Sequence, residues 1–316
     1  MRKLSLILGC AFLLGAPASA VTIDWVSVGG AGNTCETQSQ GCFGAVADVY
    51  RIAETEVTNA QYTEYLNAVA DADPNALYNA NMDSSSSGGI TQSGSSGSFS
   101  YTVKTGFADK PVNFVSFYDS LRFANWLENG QPTGAQGNAT TEDGAYTITS
   151  AGISANSITR NAGATIFLTS EDEWYKAAYY DAVSTSYFDY PAGSNTATTC
   201  TAPTAAANSA NCSSAVGNVT DVGSYTGSSS PNGTFDQGGN VTEWNEAIIR
   251  GSNRGLRGGT FGSSPGILAA SNRNDNDPTI ELVGVGFRVA SLPEPATGLL
   301  VIAGMLGLSI WRGRRA

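Results

Sequence analysis

Histidine is absent from this chain of 316 residues. The absence excludes Ser-His-Asp catalysis, histidine-ligated zinc or iron sites and any acid–base step carried by an imidazole ring. Basic residues are scarce as well: 16 lysines and arginines stand against 27 aspartates and glutamates, so the formal net charge is −11 at pH 7. This charge argues against a nucleic-acid partner and favours a soluble protein that can attract divalent cations.

Cysteine is also rare, with five in the chain. Cys10 belongs to the N-terminal apolar segment, and the other four form two local pairs, Cys35 with Cys42 and Cys200 with Cys212. In an oxidising compartment such pairs predict two disulfides that close short loops. The alternative is a metal site, although the spacings are wider than those of zinc sites and no histidine is present.

The N-terminal segment, residues 1–20, has the features of a secretory signal peptide. The basic pair Arg2-Lys3 precedes an apolar run, and Ala18-Ser19-Ala20 is an A-x-A-like cleavage site. A lipoprotein signal at Cys10 is the alternative, but the apolar run before that cysteine would be short. The segment therefore predicts an exported protein.

The stretch from Gly233 to Trp244 reads GTFDQGGNVTEW. It is too rich in glycine for a helix and too polar for a buried strand. Oxygen donors recur at Asp236, Asn240 and Glu243, and glycine lets the backbone turn toward a hard cation such as Ca²⁺. The stretch predicts a calcium-binding loop; the alternative is a tight glycine turn with solvated acids.

Three capping boxes, each followed by an apolar stripe, predict three helices. They occupy Thr58–Gln61, Ser116–Asp119 and Ser170–Glu173. The acids Glu171–Glu173 are interpreted as first-turn residues that favour the helix dipole, rather than as catalytic carboxylates. The Ser/Gly-rich stretch Ser84–Ser98 predicts a mobile surface loop.

Six motifs follow one another along the chain. They are EVTNAQY at Glu56–Tyr62, PVNFVS at Pro111–Ser116, LTSEDEW at Leu168–Trp174, GNVTEW at Gly239–Trp244, RGGTF at Arg257–Phe261 and GFRVA at Gly286–Ala290. In this order the series resembles the formylglycine-generating enzyme family, also called the sulfatase-modifying-factor family. The resemblance implies one domain over residues 21–291. It also implies an α+β fold of the C-type-lectin-like kind with little regular secondary structure.

The resemblance includes a copper site that this sequence lacks. In the family, two cysteines shortly after the RGGS motif bind copper, and a substrate cysteine is oxidised to formylglycine. The corresponding segment here, Gly258 to Leu268, holds no cysteine; the first position falls on or near Ser263 and the second near Leu268. Because Cu(I) prefers soft thiolates, no copper and no catalytic residue are expected. The histidine-dependent iron branch of the superfamily is excluded by composition.

The resemblance implies a structural Ca²⁺ and a set of buried arginines. The calcium ligands that it implies are the side chains of Asp236 and Glu243 and the main-chain carbonyls of Gly239 and Val241. Asn211 matches a residue of a second family calcium site. Arg257, Arg273 and Arg288 are expected to pair with acids in a buried network that holds the loops, rather than to bind a substrate.

The C-terminal segment, residues 292–316, differs from the rest of the chain. Pro293-Glu294-Pro295 precedes an apolar run, Ala296 to Trp311, and a cluster of arginines. The run is shorter than the ~20 residues that typically span a bilayer, and the arginines predict a cytoplasmic end. The order resembles the PEP-CTERM sorting signal, which implies an exosortase partner, a transmembrane helix inserted transiently in the inner membrane, and its removal on sorting. A permanent membrane anchor is the alternative.

Two classes of function follow from these features. The first is an exported bacterial surface or extracellular-matrix protein, with a non-catalytic domain that binds exopolysaccharide or a surface peptide. Its support is the missing copper cysteines, the sorting segment and the polar acidic composition. The second is a sulfatase-modifying-factor-type oxidoreductase, or another enzyme that uses the same cleft. The retained scaffold supports it, and a fold alone does not decide between the two.

Overall fold

The computed structural model describes residues 20–293. The helices are α1 (Asn59–Val69), α2 (Asn81–Ser84), α3 (Phe117–Glu128), α4 (Ser150–Ser154) and α5 (Glu171–Tyr179), and a 3-10 turn covers Pro265–Leu268. The strands are β1 (Trp25–Val28), β2 (Glu36–Gln38), β3 (Gly41–Phe43), β4 (Tyr50–Ala53), β5 (Ile90–Ser93), β6 (Ser100–Val103), β7 (Ile166–Leu168), β8 (Tyr180–Asp181), β9 (Ser186–Tyr187), β10 (Thr199–Cys200), β11 (Ser209–Ala210), β12 (Thr242–Ile249), β13 (Asn253–Arg257), β14 (Asn274–Asn276), β15 (Val285–Gly286) and β16 (Val289–Ser291). Short strands and long connections agree with the predicted α+β fold.

Two predicted segments lie outside the described residues. They are the signal peptide, except for Ala20, and the sorting segment, except for Leu292 and Pro293. The apolar helix expected over Ala296–Trp311 belongs to the second of these. Within residues 20–293, no helix is long and apolar enough to cross a membrane.

One four-stranded sheet joins the start of the domain to its end. Its strand order is β1-β4-β16-β7, and all three pairings are antiparallel. The last strand, β16, pairs with β4 near the beginning of the chain and with β7 in the middle. The position of β16, and of the GFRVA motif that runs into it, is therefore fixed by contacts between distant parts of the chain.

A second four-stranded sheet positions the glycine-rich stretch. Its order is β14-β13-β12-β15, with β12 and β13 antiparallel and β12 and β15 parallel. The register of β12 and β13 shifts between Asn245 and Ile248, which is a β-bulge. The stretch from Gly233 to Val241 runs directly into β12, so the sheet holds one end of it.

The three predicted capping boxes are present. Thr58, Ser116 and Ser170 each accept a hydrogen bond from the backbone N–H three residues later, and the side chain at that third position accepts one from the backbone N–H of the cap residue. Each box satisfies backbone donors that the first turn of a helix leaves free. This explains why α1, α3 and α5 begin where the sequence predicts.

Helix α3 forms the centre of the core. Every residue from Phe117 to Leu127 is buried, which is typical of a helix enclosed on all sides. Its Phe123 ring lies 5.3 Å from the Tyr65 ring of α1 and 5.4 Å from the Phe287 ring, both edge-to-face. These aromatic contacts join the two helices to the GFRVA motif.

The loop predicted for Ser84–Ser98 is wrong in part. The segment includes β5, which pairs with β6 in an antiparallel hairpin. Asn67 of α1 anchors that hairpin, because its side chain donates to the Tyr101 carbonyl and accepts from the Tyr101 backbone N–H, both at 2.9 Å. Composition alone gave no sign of these contacts from a distant helix.

Both predicted disulfides are present. Cys35–Cys42 joins the hairpin of β2 and β3, and Cys200–Cys212 spans the paired strands β10 and β11. Cys212 is fully buried in a small cluster with Ala210 and Leu268. The second disulfide therefore fixes the connection before the glycine-rich stretch against the segment after β13.

Candidate functional site

The glycine-rich stretch folds as a tight loop between two other segments. Asp236, Gly239 and Asn240 adopt positive φ values of 61°, 90° and 57°. The Gly239 N–H donates to the Gly258 carbonyl at 3.0 Å, and the Asn240 N–H donates to the Asn211 carbonyl at 2.9 Å. The loop therefore ties the connection before it to the segment after β13.

Asn240 is a hydrogen-bonding centre rather than an exposed donor. Its side chain is buried and accepts from the Thr220 N–H at 3.0 Å and from the Asn211 amide at 3.2 Å. Its own amide donates to a Glu56 carboxylate oxygen at 3.2 Å. The amide contacts of Asn240 thus bring the Glu56 carboxylate of the first motif, EVTNAQY, to the glycine-rich stretch.

Glu243 forms a buried ion pair with Arg288. The two side chains are fully buried, and the guanidinium donates to both carboxylate oxygens at 2.6 and 2.7 Å. The Trp174 indole N–H donates to the same carboxylate at 2.7 Å. The rest of the guanidinium donates to the carbonyls of Ala53, Glu54 and Phe235. Since every polar atom of the pair is engaged, the charges are compensated inside the core.

Two further carboxylates lie near the same guanidinium. Asp236 accepts from the Gly223 N–H at 2.6 Å, and enclosure raises the pKa of its carboxyl to about 6. Burial, and then the charge of Asp236, raise the pKa of Glu56 well above its usual range. Glu56 is 1% exposed, and one of its oxygens, Oε2, has no hydrogen-bond partner among the described residues. Three acids thus lie around one arginine, and their enclosure and mutual repulsion are what raise the pKa values of Asp236 and Glu56.

The segment from Gly258 to Leu268, where the resemblance would place copper ligands, holds no thiol. Ser263 accepts from the Thr260 N–H at 2.9 Å and so closes a turn. Leu268 is fully buried beside the Cys200–Cys212 disulfide. The loop after Cys212 lies against this segment, because the Ser213 N–H donates to the Ser263 carbonyl at 2.8 Å. The structure places Cys212 beside the segment from Gly258 to Leu268, but its sulfur is held in a disulfide.

The other two arginines of the predicted set also pair with an acid. Arg257 and Arg273 both bind Glu171, at N–O distances from 2.6 to 2.9 Å. Glu173 completes a capping box and also pairs with Arg160 at 2.7 Å. These acids orient loops on the start of α5, which supports the structural interpretation of the first-turn carboxylates.

The predicted calcium donors lie in one loop, but their partners differ. Glu243 is occupied by Arg288 and Trp174, whereas Asp236 has one backbone partner. Asn211, the match to a second site, donates to the Asn218 carbonyl at 2.8 Å, and its side-chain oxygen has no partner among the described residues. Residues 20–293 contain no group of three or more acidic or cysteine side chains placed to hold a metal. The predicted calcium ligands would not form such a group, because they are two carboxylates and two main-chain carbonyls.

The sequence motifs did not indicate Glu56 as a site residue. Its position in the sequence could have drawn attention to it, because Glu56 is the first residue of the EVTNAQY motif and is followed by the apolar Val57. Its proximity to Asp236 was not available, because it depends on Asn240 bridging segments that are far apart in the chain.

Comparison with known families matches residues 30–292 to the Sulfatase-modifying factor enzyme 1-like domain. The chain belongs to this family. No curated protein matches. Among solved structures, the chain is similar to CarF, with 19% identity, a TM-score of 0.55, and coverage of 87% of this chain and 100% of that one. It is also similar to Treponema denticola variable protein 1, with 18% identity, a TM-score of 0.52, and coverage of 88% and 98%. These likenesses show the fold.

The loop geometry predicts a large difference between two glycine substitutions. A methyl group on Gly239, which has φ 90°, would lie 2.3 Å from the Asn211 carbonyl oxygen, whereas one on Gly217, with φ 81°, would meet open space. Gly217→Ala should cost about 1–2 kcal/mol of unfolding free energy through backbone strain alone. Gly239→Ala should cost more, because the loop must also move. Urea unfolding of both variants measures this, and equal losses would contradict the described contact.

Proposed function

We propose that the protein is an exported, non-catalytic binding or structural module on the sulfatase-modifying-factor scaffold. The observation that carries this proposal is the state of the segment from Gly258 to Leu268. It has no thiol, and the adjacent Cys212 is buried in a disulfide. The ligand outside the cell would be an exopolysaccharide or a surface peptide.

The residues present do not fit a copper ion. Cu(I) is retained by thiolates, which are soft ligands, whereas a serine hydroxyl is hard and far less acidic. Ser263 is also engaged in a turn, and Leu268 offers no donor atom. A substrate thiol would therefore find no partner ligands for copper at this segment.

Export and sorting are the second part of the proposal. The two disulfides are consistent with an oxidising compartment, and the sequence carries a signal peptide and the Pro293-Glu294-Pro295 motif. An exosortase is the partner that this motif implies. The acidic charge of the chain gives no reason to expect a nucleic-acid partner.

The non-catalytic proposal predicts no formylglycine from a peptide with the sulfatase Cys-x-Pro-x-Arg motif. The purified protein is incubated with Cu(I), O₂ and this peptide, and the aldehyde is read by mass spectrometry. The aldehyde should not exceed that of a copper-only blank. A second sample with the disulfides reduced tests rescue by Cys212. Aldehyde above the blank would contradict the proposal, and its loss in Cys212→Ser would identify the thiol responsible.

We also propose that Ca²⁺ binds at the Asp236–Glu243 loop. Hard oxygen donors suit this ion, and a divalent cation would offset the repulsion between the carboxylates that crowd around Arg288. Asp236 and the carbonyls of Gly239 and Val241 would hold the ion. Glu243 would share its carboxylate between the ion and Arg288, because both of its oxygens already accept hydrogen bonds.

This calcium proposal predicts a metal-dependent melting temperature. Binding to the folded state alone stabilises it by about 2.7 kcal/mol when free Ca²⁺ is a hundredfold above its dissociation constant. EDTA should therefore lower the melting temperature of the wild type, and added Ca²⁺ should restore it. Asp236→Asn should lose this response, because asparagine tolerates the positive φ but carries no charge. Equal melting temperatures with and without EDTA in the wild type would rule the site out.

A further inference from the structure

An acidic groove crosses the face formed by the first residues of the domain and α1. It has a volume of about 630 Å³. Its lining carries four carboxylates: Asp24, Glu54, Glu64 and Asp109. Among the described residues that line it, none is lysine or arginine. The groove therefore presents a field of one sign, which attracts a cationic group.

A small cavity shares part of the wall of this groove. Asp24, Thr55 and Gln61 line both, and the cavity is completed by Ile23, Ala53, Glu56 and Val57. The volume that the centre of a water-sized group can occupy in this cavity is about 20 Å³. Since one water needs about 10–15 Å³ by this measure, the cavity holds one such group.

The carboxylate of Glu56 gives this cavity its chemistry. Glu56 is 1% exposed, and its Oε2 is without a hydrogen-bond partner among the described residues, while Oε1 accepts from Asn240. A buried oxygen of this kind needs a partner, either a water or a donor of a ligand, because an unpaired buried polar atom is costly. A donor with a positive charge placed in the cavity would remove that cost.

We propose that the groove binds a lysine side chain of a partner polypeptide, with the ammonium group in the cavity beside Glu56. An ammonium is a compact charge with three donors on a flexible four-carbon stem, so it fits a water-sized cavity. The apolar atoms of Ile23, Ala53 and Val57 would contact the stem. A planar guanidinium and an amino-sugar ring are both too wide for this space.

The surrounding charges favour the same ligand. Asp236 and Glu243 lie near enough to Glu56 to disfavour its ionised form, and an ammonium beside Glu56 would favour that form again. Charges interact more strongly in a partly buried site than in water, so one added ammonium is stabilised there. The four groove carboxylates would meet further basic residues of the partner. They are solvent-exposed or half-buried, so this part should weaken with salt.

This lysine site is separate from the segment Gly258–Leu268, on which the non-catalytic proposal rests. The groove and the cavity share no lining residue with Gly258–Leu268. The inference names a partner class for the proposed binding module. Its failure would leave the absence of oxidase activity untouched, because that is measured with copper and a cysteine peptide.

The test is fluorescence anisotropy with labelled five-residue peptides, Gly-Ser-Lys-Ser-Gly and three versions in which lysine is replaced by Nε-acetyl-lysine, arginine or norleucine. The lysine peptide should bind the wild-type protein at least about tenfold more tightly than the other three, because they lack a compact charge. If the arginine peptide binds equally well, attraction to a generally acidic surface explains the binding, and the proposal is overturned. Cadaverine that binds as tightly as the peptide would also overturn it, in favour of a small amine.

Protein variants locate the site. Glu56→Gln should weaken the lysine peptide by about tenfold or more. Asp24→Asn removes an exposed charge shared by groove and cavity, so it should weaken binding without affecting folding. Asp48→Asn, on an exposed loop outside the groove, is the matched control and should bind as the wild type does. Melting curves show whether the Glu56→Gln variant folds. If Glu56→Gln does not fold, the affinity of Asp24→Asn decides the outcome. Unchanged affinity in Asp24→Asn, or in a folded Glu56→Gln, would contradict the proposal.

Discussion

The buried contact of Arg288 with Glu243 constrains most of this domain. Arg288 lies between β15 and β16, Glu243 lies on β12, and Trp174 on α5 donates to the same carboxylate. A guanidinium taken out of water is stable only when its donors are engaged, so the Ala53 carbonyl of β4 and the Phe235 carbonyl of the glycine-rich stretch must stay within reach. The two large sheets and α5 therefore meet at one ion pair.

The same constraint explains how a domain with short strands keeps a defined site. The loop from Gly233 to Val241 is fixed by the Phe235 carbonyl, which accepts from Arg288, and by the amide contacts of Asn240. The Cys200–Cys212 disulfide fixes the connection that lies against the segment from Gly258 to Leu268. The buried network of this chain involves no residue of a redox site, so it is compatible with the proposed binding role.

Much of the fold could be predicted from local signals. Capping boxes located α1, α3 and α5, because hydrogen bonds between residues three apart are encoded within a few positions. Cysteine spacing predicted both disulfides. The hairpin of β5 and β6 and the role of Glu56 could not be predicted, because Asn67 and Asn240 reach them across long stretches of chain. The motif order identified the arginines but not their partners, which only the tertiary structure assigns.

The most direct test of this account is a double-mutant cycle on the ion pair, measured by urea unfolding of Arg288→Met, Glu243→Gln and the double variant. Each single change should cost about 3–5 kcal/mol, because it leaves a buried group unpaired. The double variant should cost clearly less than the two losses together, because neither charge then remains alone. Small, additive losses would contradict the claim that this pair holds the two sheets and α5 together.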